Sequence, residues 1–521
     1  MSSIAHLATL LLPHFNTLSE GSVYQIKKKV ARDYGRMPKD SEVLECYETL
    51  LAEGKIQENK ILKTSLITRK VRSESGVTPF AVMTKPYPCP GQCTYCPLEV
   101  GMPKSYLSDE PAAARAKSFG FDPALQINSR LEQLAITGHP TDKIELIVIG
   151  GTFGSYPEEY KREFFLAMIN AVNGVDSDSL VEAQILNESS PRRIVGMSIE
   201  TRPDWIDEAE VKLMRELGVT KVQLGVQALD DEIMEHIKRG HTLRDVATAT
   251  QLLKDAGIKV CYHFMPNLPG STPEHDLEMA HTMYEDIQFK PDFLKIYPVQ
   301  VIDGTELYLE WERGDYLPYG DDLLMNTLKE IKKITPPFVR IDRLVRDISK
   351  QWVSAGTYLT NMRQLIHHQM KGEDWSCQCI RCREARGKSI PDDVKLCDLT
   401  IPTLGATEHL LTYEDSPRRY LYSLLRLRLP DHDNNKLFPE LARAAIIREV
   451  HTYGTAVRVG KEGGAGKSQH MGLGKKLIKQ AEQIAQEAGY SKIAVISAIG
   501  TRGYYRKLGY KLDGLYMTKP L

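Results

Sequence analysis

Three cysteines stand at C-x3-C-x2-C spacing, Cys89, Cys93 and Cys96, inside Lys85-Pro-Tyr-Pro-Cys-Pro-Gly-Gln-Cys-Thr-Tyr-Cys-Pro97. Pro86, Pro88, Pro90, Gly91 and Pro97 keep that stretch from becoming helix or strand, so it reads as a loop. Thiolates gathered on such a loop can hold three corners of an iron–sulfur cube, since soft sulfur ligands suit iron–sulfur clusters. The missing fourth cysteine leaves one iron free to bind a substrate. Zinc also takes cysteines at short spacing, and reduced, unliganded thiols are the other plain reading.

A second group follows far downstream, Trp375-Ser-Cys377-Gln-Cys379-Ile-Arg-Cys382. Its three thiols are too close in sequence for mutual disulfides in sound geometry, and zinc would take them readily. Cys397, His367 and His368 are candidates for a fourth ligand, with three free thiols in a polar loop as the alternative. No general acid or base lies within this motif, so a structural role pinning two larger domains is expected. Cys46 and Cys261 fall in apolar helix and strand patterns and read as core thiols.

These groups must be held by regular elements. Between the two cysteine groups, apolar β-rich runs alternate with helical segments: 144–149, 194–199, 221–226, 259–265 and 293–299. That rhythm implies a parallel sheet with crossover helices, open or closed into a partial barrel, whose ligands bind at the carboxyl ends of the strands. Those ends read Gly150-Gly151-Thr152-Phe153, Glu200-Thr201-Arg202, Gly225-Val226-Gln227 and Pro266-Asn-Leu-Pro-Gly-Ser-Thr272. Glycines there let backbone approach a ligand, and the charges of Glu200 and Arg202 need partners. Arg239-Gly-His241-Thr242 is a further motif, readable as substrate contact or as a helix end.

Toward the C-terminus, strand-like runs at 421–429 and 444–453 precede Gln469-His-Met-Gly472-Leu-Gly474, which opens an amphipathic helix over 475–487. Glycines at a helix start expose N–H groups and the positive dipole end, so a pyrophosphate is the natural guest. The stretch Gly460 to Lys467 looks like a phosphate loop but lacks the strand–loop–helix context, and it is read as a flap. A strand at 493–497 and Gly503-Tyr504-Tyr505-Arg506-Lys507-Leu-Gly509-Tyr510 complete a small α/β domain.

A chain of 521 residues exceeds one ordinary core. The expected division is a helical, partly basic region at 1–75, a strand–helix domain at 76–350, a linker with the cysteine knuckle at 351–395, and an α/β domain at 396–521. A net charge of −1 gives no global warrant for a polyanionic partner, so any nucleic-acid surface must be local. Lys27, Lys28, Lys29, Arg32 and Arg36 form one basic set. Lys55, Lys60, Lys63, Arg69, Lys70 and Arg72 form a second that faces few acids in sequence. Arg340, Arg343, Arg346, Lys350 and Arg363 add positive charge that could continue it. Clustered cysteines suit a reducing compartment, and with no signal peptide or spanning segment evident the expected location is cytoplasmic.

From about Val77 to Arg343 the chain resembles radical S-adenosylmethionine (SAM) enzymes, on the cysteine loop, the strand order and the strand-end motifs. The resemblance implies a [4Fe–4S] cluster on Cys89, Cys93 and Cys96 that yields a 5′-deoxyadenosyl radical from SAM. It also implies that Gly150 and Gly151 meet the methionine amino group, and that Glu200, Gln227 and the turn after Met265 contact ribose or adenine. The last 125 or so residues resemble the GNAT acetyltransferase fold. That implies acetyl-CoA, with Glu449, Val450, His451 and Thr452 on the acetyl and pantetheine portion. Gln469, Gly472, Leu473, Gly474 and Lys475 would bind the pyrophosphate, and Tyr505 would sit near the thioester sulfur. Glu449 and His470 have the chemistry of general bases, without partners evident in sequence; one of Tyr504 and Tyr505 is expected in the core.

Both halves together, with IGGTF at 149–153, SIETRPDW at 198–205, GVQALDD at 225–231 and TRGYYRKLGY at 501–510, resemble the catalytic subunit of Elongator and its single-chain bacterial and archaeal relatives. The family implies conversion of wobble uridine 34 of tRNA to 5-carboxymethyluridine. In that chemistry a carbon radical made on acetyl-CoA adds to uracil C5, and thioester hydrolysis follows. The basic patches would hold the anticodon stem and loop, with the base splayed out. Accessory subunits are not expected to be required, and a homo-oligomer is possible. Two rivals differ in kind: a GNAT-type protein lysine acetyltransferase with a structural iron–sulfur cluster, and a non-catalytic tRNA-binding scaffold that senses acetyl-CoA.

Overall fold

The structure, a computed structural model, describes residues 3–15, 22–66, 76–386, 388–431, 435, 437–453 and 472–521. The apolar runs between the cysteine groups form parallel strands: β1 (Thr78–Met83), β2 (Lys143–Ile149), β3 (Arg193–Thr201), β4 (Lys221–Gln227), β5 (Lys259–Phe264) and β6 (Phe293–Ile296). A short β7 (Val301–Ile302) leaves this sheet, and β8 (Arg340–Arg343) closes it in the order β1-β2-β3-β4-β5-β6-β8. Every neighbouring pair is parallel. Helices cover the outer face, as parallel sheets require. Their ends follow local rules: Asp122 caps the helix Pro123–Ile136, and Thr242 with Asp245 forms a capping box on Leu243–Asp255.

Two strands of this first sheet were not legible in the sequence, β1 and β8. The run expected to extend to 299 ends at Ile296, beyond which Pro298 carries the chain toward β7. β7 pairs antiparallel with β9 (Val353–Ala355) outside the main sheet.

A second seven-stranded sheet follows: β10 (Lys395–Thr403), β11 (Ala406–Glu414), β12 (Leu421–Pro430), β13 (Ala444–Thr452), β14 (Lys492–Val495), β15 (Lys511–Asp513) and β16 (Tyr516–Pro520). Its order is β10-β11-β12-β13-β14-β16-β15. Strand β13 pairs with β12 from Ile446 to Thr452 but with β14 only from Ala444 to Ile447. Beyond Ile447 the two therefore splay, opening a wedge. The helix Leu473–Glu487 packs against this sheet with Leu477, Ile478, Ala481 and Ala485 buried.

The two sheets share one core. The largest cluster of buried side chains runs from Phe80 and Val222 in the first sheet to Ile446, Ala494 and Tyr516 in the second. A buried charge network fastens the same seam. Arg448 on β13 reaches Asp292 at 2.6 and 3.0 Å and Glu408 at 3.0 Å, and Arg428 meets Glu408 at 3.0 Å. Asp292 and Glu408 are held below the usual carboxylate range; burial opposes this, and the guanidinium groups outweigh it.

The N-terminal region is helical as expected: α1 (Ser3–Phe15), α2 (Ser22–Tyr34), α3 (Asp40–Ala52) and α4 (Lys60–Leu66), packed around Leu7, Leu11, Val43, Leu44, Tyr47 and Leu50. Cys46 and Cys261 are both buried core thiols. The second basic set is less bare than its sequence indicated, because Lys55 pairs with Glu53 and Lys63 with Glu48 across turns that bring the acids back. In the first set Lys27 and Arg36 are likewise paired, with Asp40 and Glu42. Arg69, Lys70, Arg72, Gln469, His470 and the flap at 460–467 lie outside the described residues. No helix of the described residues is long and apolar enough to cross a membrane.

Candidate active site between the two sheets

The proline-rich loop that carries Cys89, Cys93 and Cys96 is pinned at several points. Thr94 donates its amide to Ile237 O at 3.1 Å and accepts from Leu307 N at 2.9 Å, while Lys104 Nζ donates to Gly91 O at 2.7 Å. Its start is held by stacked rings, Tyr87 on Tyr156 at 4.8 Å and Tyr156 on Tyr160 at 5.1 Å. Tyr156 Oη donates to Lys85 O, and Tyr160 Oη accepts from Lys85 N.

The loop faces a cavity of about 1200 Å³. All three cysteines line it, as do Gly151, Glu200 and Gln227 from three strand ends, Glu449, Val450, His451 and Thr452 from β13, and Tyr505 from the short helix Arg502–Arg506. Gly151 takes φ 95°, closed to most side chains, and leaves the wall bare at that point. Gly150, at φ 139°, sits behind it, where a Cβ would overlap Thr84 Oγ1. Glu200 accepts from Tyr106 Oη and meets Lys295 Nζ at 3.3 Å, so its charge is compensated. Gln227 is left-handed at φ 72°, with Oε1 buried and unpartnered, and its carbonyl accepts Met265 N at 2.7 Å. Arg202 is paired bidentately with Asp204 at 2.9 Å.

The donor set fits a cluster better than a single ion. Zinc–sulfur bonds of about 2.3 Å put tetrahedral sulfurs roughly 4 Å apart. Among the described residues, Cys377, Cys379 and Cys382 are the cysteine trio with sulfurs within 4.8 Å of one another; the loop trio stands wider. Burial pushes the Cys93 thiol up, but Arg239 and Arg202 outweigh it and favour the thiolate. Cys96, half-buried beside Cys93, is pushed up to about 12 by desolvation and by the neighbouring Cys93. Positive groups with orphaned donors, Arg202 Nη1 and Arg239 Nε, lie buried on this side, as an anionic guest requires.

On the second sheet, Arg426 Nε donates to Glu449 Oε2 at 2.9 Å, which keeps this half-buried carboxylate ionised against the cost of its burial. His451 is lowered to about 4 by burial, its Nε2 has no partner, and its ring lies 4.3 Å from Tyr453. Gly472, at φ 67°, caps the helix Leu473–Glu487. A Cβ on Gly474 would lie 3.4 Å from Thr452 Oγ1 and 3.7 Å from Tyr504 Oη, so the helix start abuts the splayed end of β13. Leu473 buries its side chain against Ala385 and Tyr422, and Lys475 is exposed. Tyr505 packs in the core of this domain while its edge reaches the cavity; Tyr504 is the more exposed ring.

The knuckle lies at the seam. Ile380 N donates to Val339 O beside β8, Ala385 N donates to Leu421 O on β12, and Arg383 pairs with Glu414 on β11 at 2.8 Å. His367 Nε2 lies 3.6 Å from Cys382 Sγ, whereas Cys397 sits on β10 opposite Thr412 and His368 is exposed. The buried Lys332 amine, 3.4 Å from Cys382 Sγ, was missed in sequence, as were Lys104, Tyr106, Lys259 and Lys295 at the cavity. Single lysines on ordinary helices and strands carry no spacing signal; only the fold aims them.

A parallel half-barrel with a three-cysteine loop at its carboxyl end defines the radical SAM class. Residues 87–283 match the radical SAM superfamily, and residues 291–372 match its C-terminal domain. The tRNA uridine(34) acetyltransferase of Methanocaldococcus jannaschii is 43% identical over 97% of this chain and 95% of its own length. Elongator complex protein 3 of Drosophila melanogaster is 37% identical over 99% and 96%. The solved structure of the archaeal Methanocaldococcus infernus Elp3 with an N-terminal deletion superposes with TM-score 0.75 at 40% identity, covering 86% of this chain and all of that one. The chain belongs to this family of tRNA uridine(34) acetyltransferases and Elongator complex protein 3. The radical SAM superfamily implies a [4Fe–4S] cluster and SAM.

Proposed function

We propose that this protein modifies wobble uridine 34 of tRNA to 5-carboxymethyluridine, using SAM and acetyl-CoA. The names of its relatives support the substrate. One observation supports the chemistry: the cysteine loop and the splayed strand of the second sheet line the same cavity, so a radical source and an acetyl thioester would share one space. Uracil C5 does not accept an acetyl methyl carbon by ordinary acyl transfer, which would join the carbonyl carbon instead. Cys89, Cys93 and Cys96 would hold a [4Fe–4S] cluster, which with SAM bound would supply a carbon-centred radical.

The protein's own side chains bind and orient. The bare wall at Gly151 receives the methionine end of SAM, with Gly150 shaping the turn, and Glu200 and Gln227 face its ribose and adenine. Glu449, Val450, His451 and Thr452 hold the acetyl and pantetheine portion, with Tyr505 near the thioester. The backbone from Gly472 through Leu473 and Gly474 to Lys475, with Gln469, takes the pyrophosphate at the helix start. Glu449 anchors rather than acting as a base, because its charge is committed to Arg426. His470 is left without an assigned base role. Lys259, Arg343, Arg381 and Arg386 add positive charge along the cavity for a phosphate backbone and the anticodon loop. The knuckle would hold zinc on Cys377, Cys379 and Cys382, with His367, 3.6 Å from Cys382 Sγ, as the candidate fourth ligand.

The test incubates reduced, reconstituted protein with tRNA, SAM and methyl-labelled acetyl-CoA, then analyses nucleosides by mass spectrometry. Label on a carboxymethylated uridine together with 5′-deoxyadenosine is expected. Label on protein lysines alone, without a SAM requirement, would select ordinary acetyl transfer and sink the proposal.

A further inference from the structure

The motif Arg239-Gly-His241-Thr242 has no part in holding SAM, acetyl-CoA or tRNA as proposed, yet the fold puts it directly beneath the cysteine loop. Lys238 and Gly240 take left-handed φ of 52° and 74° on either side of Arg239, turning the chain sharply. Two residues earlier, Ile237 O accepts the amide of Thr94 at 3.1 Å, so the turn is stitched to the loop between Cys93 and Cys96. Thr242 then caps the next helix. Only Thr242 behaves as an ordinary helix end; Arg239 and His241 are 7% and 5% exposed.

The guanidinium is aimed. Arg239 Nη1 lies 3.4 Å from Cys93 Sγ, Nη2 donates to Gly225 O at 2.6 Å, and Nε is buried without a partner. Gly225 makes room for it, since a Cβ there would meet Arg239 Nη2 at 2.5 Å. No carboxylate among the described residues forms an ion pair with Arg239, unlike Arg202 beside it, which is bonded to Asp204. A cation buried without an anion is costly, and a sulfur ligand of an anionic cluster offsets that cost.

We propose that Arg239 is a positioning residue that sets the reduction potential of the cluster held by Cys89, Cys93 and Cys96, through a charged hydrogen bond to the Cys93 sulfur. Donation to a ligand sulfur withdraws electron density from iron and stabilises the reduced, more negative state, which raises the potential. Burial strengthens the effect, because the charge is poorly screened. The role rests on the cluster reading alone and is independent of tRNA and acetyl-CoA.

The experiment uses full-length protein reconstituted anaerobically to equal iron content, with the midpoint potential read by electron paramagnetic resonance during a redox titration. Arg239→Gln should shift the midpoint to more negative potential, and Arg239→Lys, which keeps a charge and a donor, should fall between it and wild type. In wild-type protein with 15N-labelled arginine, the reduced cluster should show a nitrogen hyperfine coupling that disappears in Arg239→Lys. An unchanged midpoint in fully loaded Arg239→Gln, or no arginine coupling in wild type, would overturn the proposal. Should Arg239→Gln fail to take up a cluster, the wild-type coupling decides. Wild-type protein that takes up no iron at all overturns the cluster reading itself, and this proposal with it.

Discussion

Two cysteine trios occupy this molecule, and they differ in almost everything but residue type. Cys89, Cys93 and Cys96 sit on a loop facing a cavity of about 1200 Å³, with sulfurs held apart. Cys377, Cys379 and Cys382 sit within 4.8 Å of one another at the seam of the two sheets, with Cys377 and Cys379 in the shared core. The open trio has room for a larger guest and for a ligand beyond it; the closed trio has room for one ion. An open face permits chemistry, and a closed one supplies stability.

The strongest way to break this contrast is to exchange the consequences. Cys93→Ser should abolish carboxymethyluridine formation and lose iron while leaving zinc and the unfolding midpoint nearly unchanged, as metal analysis and calorimetry would read. Cys377→Ser should do the reverse at the level of the fold, releasing zinc and lowering the midpoint by roughly 5 °C or more while the cluster still assembles. If instead Cys377→Ser left the midpoint intact and removed activity alone, the division into reactive and structural sites would fail.

The seam can be attacked without touching a cysteine. Arg448→Met leaves Asp292 and Glu408 buried without that guanidinium and should cost about 3–5 kcal/mol in denaturant unfolding, imitating the zinc-site variant rather than the cluster variant. Acid should act on the same seam. Both carboxylates are more acidic in the folded chain than in the unfolded one, so their contribution is full above the ordinary carboxylate range, near pH 4. It is lost as pH falls from there toward the folded values, at roughly 1.4 kcal/mol for each tenfold difference in acidity between the two states. Thermal scans from pH 6 to pH 3 would show this as a falling midpoint, and in Arg448→Met the fall should be shallower. The smallest expected effect is at Lys332. Lys332→Met removes the amine beside Cys382 and should weaken zinc binding on the order of tenfold, measured by competition with a chelator, with little change in iron.

Much of this architecture was legible in the chain itself. The cysteine spacing, the alternation of apolar runs and the glycines at strand ends point to a parallel sheet, open or partly closed into a barrel, with a loop site, because each follows from local chemistry and period. β1 and β8 escaped: Pro79 cuts Thr78–Met83 down to the four apolar residues Phe80 to Met83 just ahead of the proline-rich loop, and Arg340–Arg343 is short and charged. The antiparallel pair β10 and β11 was also missed, since Asp398 and Pro402 break up the first run and Thr407, Glu408 and His409 the start of the second, so neither reads as a continuous apolar strand.

By itself the sequence pointed to the side chains whose types suit chemistry and roughly to the elements that carry them, since spacing, strand period and helix starts are properties of neighbours along the chain. It did not determine that the two chemistries share a cavity, that Glu449 is tied to Arg426, or that Arg239 lies under Cys93. Those contacts join residues 23 and 146 positions apart or more distant halves of the chain. Only the folded core, by burying two sheets against one another and leaving β13 splayed at the seam, brings them within reach.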